Sequence, residues 1–145
     1  MRNALLNELL ETKGRDIITV SGDESVFSAV KKMVDAKVGS LLIVDDQHRL
    51  LGIISDRDVI SKLVLLGLDV KQAKVSEVMT QNPITVAPDC TVNEVRQIIT
   101  NKRVRHLPVV ENDRVVGMIS IGDVTKYTME QQQQHIDELT DYINK

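Results

Sequence analysis

The sequence predicts an α+β (α/β) chain built from two β-α-β-β-α repeats packed about a pseudo-twofold axis, with flanking N- and C-terminal helices. Three observations carry this prediction. ITVSGDESV (Ile18 to Val26) and ITVAPDCTV (Ile84 to Val92) align without a gap. SLLIVDDQHRLLGIISDRD (Ser40 to Asp58) then meets HLPVVENDRVVGMISIGD (His106 to Asp123) after one deletion near His48. Within each copy the apolar spacing switches between strand-like and helical in the same order. A duplication of about 65 residues is one structural unit made twice.

Residues 1–16 form an N-terminal helical segment, in which NALLNELLE places Leu5, Leu6, Leu9 and Leu10 on one stripe. That stripe needs a partner, on the pair or on a second subunit. The first repeat, 17–67, opens with a short β-rich segment, Ile17 to Val20. A helix follows from Ser25 to Lys37, with Val26, Ala29, Val30 and Met33 at i, i+3, i+4, i+7 spacing. LLIV and LLGIIS read as two strands joined across the polar turn DDQHR, and a helix from Asp58 to Leu66 stops at Gly67. Residues 68–82 are a polar linker holding a short helix in VSEVMT.

The second repeat, 83–128, restates the pattern with a strand at Ile84 to Val86 and a helix opened by the capping box Thr91-Val92-Asn93-Glu94. The strands LPVV and VVGMIS and a helix from Asp123 complete it. Residues 129–145 form a C-terminal helix with Ile136, Leu139 and Ile143 at helical spacing. A unit of about 50 residues exposes too much apolar surface to stand alone, so the two repeats are expected to cover each other's sheets.

A hydrophobic fraction of 42% with 27% charged residues describes a soluble globular chain. The net charge of −3 and an aromatic content of 2% supply neither a basic field nor a stacking platform for nucleic acid. No apolar run approaches the roughly 18 residues of a membrane span, and Glu8 and Glu11 interrupt what would be the apolar stretch of a signal peptide. A cytoplasmic location is expected. The single cysteine, Cys90, reads as a small residue in a helix-entry turn, with a redox role through the helix dipole as the lesser alternative. His48, His106 and His135 lack metal-ligand spacing. Met79 and Met118 lie in apolar contexts and read as core residues. No nucleophile elbow and no supported carboxylate pair points to an enzyme.

The chemistry concentrates in GIISDRD (Gly52 to Asp58) and GMISIGD (Gly117 to Asp123). Ser55 and Asp58, like Ser120 and Asp123, stand three apart at a strand-to-helix junction, which is capping-box spacing. The same residues suit a nucleoside phosphate. An ionised aspartate accepts from both hydroxyls of a ribose, and a serine hydroxyl with free helix-start N–H groups meets a phosphate. The two readings are compatible.

The twice-used I-T-V strand, the VGSLLIVDD and VRHLPVVEN strands and the G-x-I-S-x-x-D endings resemble a tandem pair of CBS domains, the module named after cystathionine β-synthase. The likeness covers about Ile17 to Tyr127. The whole chain is similar to stand-alone bacterial and plant-organelle CBS-pair proteins. The resemblance implies a regulatory module binding AMP, ADP, ATP or NAD, with S-adenosylmethionine a further adenosine ligand of the class. It also implies a flat homodimer, parallel or antiparallel, that signals by changing shape to an effector protein. Some relatives of the plant-organelle type are linked to thioredoxin regulation, so the alternative is a ligand-independent interaction module for a redox protein.

By the same resemblance, one cleft joins Ser55 and Asp58 to Thr80, Ile84 and the Val104-Arg105-His106 segment. The other joins Ser120 and Asp123 to Ile18 and Val38-Gly39-Ser40. The alignment makes the clefts unequal. Lys102, Arg103, Arg105 and His106 stand opposite Ala36, Lys37, Gly39 and Ser40, and Arg57 stands opposite Gly122. Arginine binds phosphate by paired charge-assisted hydrogen bonds, so the cleft with Arg57 and Arg105 is expected to be the tighter and to favour the more anionic ligand.

Overall fold

The computed structural model describes residues 3–144; Met1, Arg2 and Lys145, at the tips of the expected flanking segments, lie outside the described residues. The chain begins with helix α1 (Leu6–Lys13), then β1 (Thr19–Val20), α2 (Val26–Ala36), β2 (Ser40–Val44) and β3 (Leu50–Ser55). Helix α3 (Asp56–Asp58) continues as a π-helical stretch, Val59–Val64, and the chain turns at Gly67, whose φ is +67°. The connecting segment holds α4 (Val75–Val78) and β4 (Thr80–Gln81). The second repeat follows as α5 (Val92–Lys102), β5 (His106–Glu111), β6 (Arg114–Ser120) and α6 (Ile121–Ile143).

Helices α2 and α5 start and stop by the same device. Ser25 accepts from the Ser28 N–H and Thr91 from the Glu94 N–H, so each hydroxyl satisfies a donor the helix leaves free. Each helix ends on a cation in the left-handed conformation, Lys37 at φ 58° and Arg103 at φ 54°. These two residues are partners in the repeat alignment.

Strand β1 runs parallel to β2, and β3 pairs antiparallel with β2 and with β4, in a four-stranded sheet ordered β1-β2-β3-β4. The second repeat has only the antiparallel β5-β6 hairpin plus a single parallel bridge from Val86 to Val109. The strand expected at Ile84 to Val86 is therefore one bridge. Proline explains the loss: the Leu42 N–H donates to the Ile18 carbonyl at 3.3 Å, but Leu42 aligns with Pro108, which has no N–H to give Ile84.

The connecting segment departs from a polar linker. Ala73, Val75 and Val78 are buried in the first repeat's core, and β4 adds a fourth strand to its sheet. Two separate apolar cores result. One holds Val26, Ala29, Met33, Leu41, Ile43 and Ile54 with Val75 and Val78 of α4. The other holds Val95, Ile99, Leu107, Val109 and Ile119 with Leu6, Leu9 and Leu10 of α1.

The leader of each repeat thus packs on the opposite repeat: α1 precedes the first and closes the second, while α4 precedes the second and closes the first. This exchange settles where the leucine stripe packs. It also accounts for the motif glycines. A Cβ at Gly52 would lie 2.7 Å from the Thr80 carbonyl oxygen, and one at Gly117 would lie 3.2 Å from a Leu10 methyl. At each glycine the crossing leader leaves little room for a side chain.

Helix α6 runs unbroken through the junction expected at 128/129, with Val124 and Tyr127 buried and Ile136, Leu139 and Ile143 exposed. Among the described residues no helix is long and apolar enough to cross a membrane.

Candidate functional site

The helices of the two G-x-I-S motifs begin at Asp56 and Ile121, two residues ahead of the sequence expectation, because Ser55 and Ser120 are the N-caps. Their N-cap backbones match closely, with φ, ψ of −119°, 166° at Ser55 and −115°, 165° at Ser120. Asp58 Oδ2 accepts from Ser55 N at 2.9 Å and Ser55 Oγ at 3.1 Å, and the Asp58 N–H returns a bond to Ser55 Oγ at 3.2 Å. In the second copy the same three contacts measure 2.9, 2.9 and 3.1 Å. Both motifs are complete capping boxes.

The difference lies in what crosses over. Thr80 Oγ1, from β4, donates to Asp58 Oδ1 at 3.0 Å, and Lys62, one turn along the same helix, stands 3.4 Å from that oxygen. Lys62 also donates to the Val78 carbonyl at 2.9 Å. At the second copy Lys13 Nζ, from the end of α1, donates to Asp123 Oδ2 at 2.7 Å and to the Met118 carbonyl. Among the described residues every donor to Asp123 converges on Oδ2. Oδ1 receives no donor among the described residues. Burial works to raise the Asp123 pKa, but the Lys13 and Ser120 hydrogen bonds outweigh it and hold the carboxyl below the usual range.

Further contacts join the repeats. Arg105 donates to Asp56 Oδ1 at 2.5 Å, and this hydrogen bond, working against burial, keeps the Asp56 carboxyl below its usual range. His106, half-buried beside Arg105, has its pKa lowered by burial and by that arginine, against the pull of Asp56 and Asp123. The imidazole is therefore neutral at pH 7. Ser40, fully buried on β2, donates to Met118 Sδ on β6 at 3.7 Å.

Hydrogen bonds thus bring together Ser55, Asp58 and Thr80 at one motif and link Ser40, through Met118, to the strand that leads into Ser120 and Asp123. The Gly39 carbonyl accepts from the Asp56 N–H at 2.9 Å, and Val38 lines an apolar groove of about 380 Å³ with Val34, Asp56 and Ile60. Ile18 packs on the first core, Val104 on the second; Ile84, Arg57 and the Arg105 side chain are exposed. Met79 packs partly buried against the first core, and Met118 is half-buried between Ser40 and Lys13.

Sequence reasoning passed over Lys13, Lys62 and Asp56. A signal for Lys13 was present, since it stands five residues before Ile18 much as Thr80 stands four before Ile84. Cys90 sits in the turn that enters α5, and its pKa is not lowered. Its thiol donates to Glu94 at 3.1 Å, and burial together with that carboxylate pushes its pKa up to about 11 despite the helix dipole.

A family model described as CBS domain matches the chain twice, at residues 12–65 and 75–130. The CBS domain-containing protein CBSX3, mitochondrial, of Arabidopsis thaliana is 33% identical over 146 residues, spanning 95% of this chain and 71% of its own length. The solved CBS-domain containing protein ATU1752 from Agrobacterium tumefaciens superposes with a TM-score of 0.80 at 36% identity, covering 86% of this chain and 99% of that one. The CBS domain pair of protein MJ0100, solved in complex with 5-methylthioadenosine and S-adenosyl-L-methionine, gives a TM-score of 0.78 at 27% identity over 90% of this chain and 99% of that one.

Proposed function

The chain belongs to the CBS-domain family as a tandem pair, and from that premise we propose that it is a nucleotide sensor: an adenosine-containing ligand binds between the repeats and shifts their arrangement, which an effector protein reads. CBS pairs are in general regulatory, ligand-binding modules, and the solved Agrobacterium relative is covered over 99% of its chain by this one. One observation carries the finer reading. Two matching Ser-x-x-Asp capping boxes each receive a donor from the segment leading into the opposite repeat, Thr80 at Asp58 and Lys13 at Asp123. A ligand at either aspartate would touch one repeat and the segment leading into the other, so its differential affinity biases their relative position. That the MJ0100 pair was solved with two adenosine compounds supports the class of ligand.

The proposal includes a homodimer. Val34 and Ile60 line one apolar groove of the first repeat, and Val64, Leu65 and Leu66 are also exposed on it, apolar surface that twofold association would bury isologously. It also includes the cytoplasmic location expected from the sequence; the Arabidopsis relative is named mitochondrial.

A second reading has its own observation, the completeness of both capping boxes. In it the serines and aspartates only cap helices and the module binds its partner directly. A thiol with a pKa near 11 brings no exchange chemistry to a redox partner at neutral pH.

Thermal unfolding against AMP, ADP, ATP, NAD and S-adenosylmethionine separates the readings. A ligand at 100 times its Kd adds about 2.7 kcal/mol, which for a chain of this size raises the Tm by on the order of 10 °C. Stabilisation that Asp58→Ala or Asp123→Ala abolishes supports the sensor and assigns the cleft. No shift with any of the five, together with destabilised aspartate variants, supports the capping reading.

A further inference from the structure

We propose that Lys13 makes the second cleft selective for an adenine nucleotide over the uncharged nucleoside, a role that rests on the nucleotide-binding reading above.

The geometry of the lysine is the starting point. Its ammonium carries three N–H donors. Two are engaged, by Asp123 Oδ2 at 2.7 Å and by the Met118 carbonyl. The third has no acceptor among the described residues. Beside it lies Asp123 Oδ1, an acceptor with no donor among the described residues, and the start of the 23-residue helix α6. An unused acceptor and an unused cationic donor, side by side, match a ribose diol followed by a phosphate.

Charge makes the same point. With Lys13 in place the Asp123 carboxylate is neutralised; without it, a phosphate would enter beside a bare negative charge. The first cleft differs because its crossing group is the Thr80 hydroxyl, whose single proton is already given to Asp58. Selectivity by charge at the second cleft therefore depends on one side chain.

That side chain is held firmly. Leu6, Leu9 and Leu10 anchor α1 in the second core, and the chain turns away at Gly14, whose φ of 101° no other residue type adopts easily and whose N–H bonds the Leu10 carbonyl at 2.8 Å. The ammonium is thus delivered from the end of a docked helix, with 31% of its side chain still exposed to an arriving ligand. The rival role for Lys13 is to dock that helix through its ion pair and nothing more.

The test uses the full chain carrying Asp58→Ala, so that only the second cleft reports, and titrates AMP and adenosine calorimetrically. Lys13→Met is expected to weaken AMP on the order of tenfold while adenosine stays within about twofold. Lys13→Arg is expected to restore most of the AMP affinity, and added salt to erode the preference for AMP. A parallel fall in both affinities, or no change in either, overturns the proposal and leaves Lys13 as a helix anchor. Absence of both AMP and adenosine binding before Lys13 is touched, in the unsubstituted protein as well, overturns the nucleotide reading itself and this inference with it.

Discussion

The two halves of the molecule carry the same junction, yet they differ in the group that reaches across to it. At Asp58 the crossing group is a neutral hydroxyl, and the local cation, Lys62, comes from the same helix. At Asp123 the crossing group is itself the cation, delivered by α1. The difference teaches that duplication conserved the scaffold and left the electrostatics to the leaders. Both leaders dock by an apolar side and by backbone hydrogen bonds to the opposite repeat, yet present different polar groups to the aspartate.

The comparison breaks most readily through those leaders. Leu10 is fully buried and lies against Gly117, so Leu10→Ala should cost about 3 kcal/mol and lower the Tm by on the order of 10 °C. Calorimetric unfolding would show it. If α1 were an appendage rather than a wall of the second core, the loss would stay within a degree or two.

A smaller effect concerns acid. The Asp123 carboxyl is held below the value near 3.9 of an unfolded aspartate. Its contribution is therefore present above that value and lost as the pH falls from about 4 through the folded pKa. A partly exposed ion pair of this kind is worth about 1 kcal/mol at most. Urea midpoints at pH 7 and pH 3 should show wild type ahead of Asp123→Asn at neutral pH only. A constant gap at both pH values would mean the ionised pair with Lys13 contributes nothing to folding.

The smallest expected effect on folding sharpens the comparison from the other side. Arg105 and Asp56 expose 43% and 54% of their side chains, so Arg105→Ala should change stability by about 0.5 kcal/mol or less. In the Asp123→Ala background it should nevertheless weaken ATP more than adenosine at the first cleft, measured by the same titrations. Unchanged ligand affinity with a large loss of stability would make Arg105 a latch between repeats instead.

Much of this molecule was legible in its sequence, for identifiable reasons. Helices α2 and α5 were readable because apolar spacing and a capping hydroxyl are both local signals. The paired Ser-x-x-Asp junctions were readable because the repeat displays them twice. The missing strand at Ile84 was not, although its cause is local: Pro108 removes one donor, but only a known pairing with Ile84 reveals which bond is lost. The connecting segment misled for a related reason. Its polar composition hides Val75 and Val78, whose burial depends on a surface far away in the chain.

By itself, then, the sequence determined the repeat, most of the order of elements and the capped junctions. Each of these follows from spacing within a few residues or from similarity between two copies. Only the tertiary structure decided that each leader crosses to the opposite repeat, that Gly52 and Gly117 mark the crossings, and that Lys13 rather than a second hydroxyl meets Asp123. Those are pairings between residues distant in the chain, chosen by which apolar faces can close a core together, and no local pattern encodes the choice.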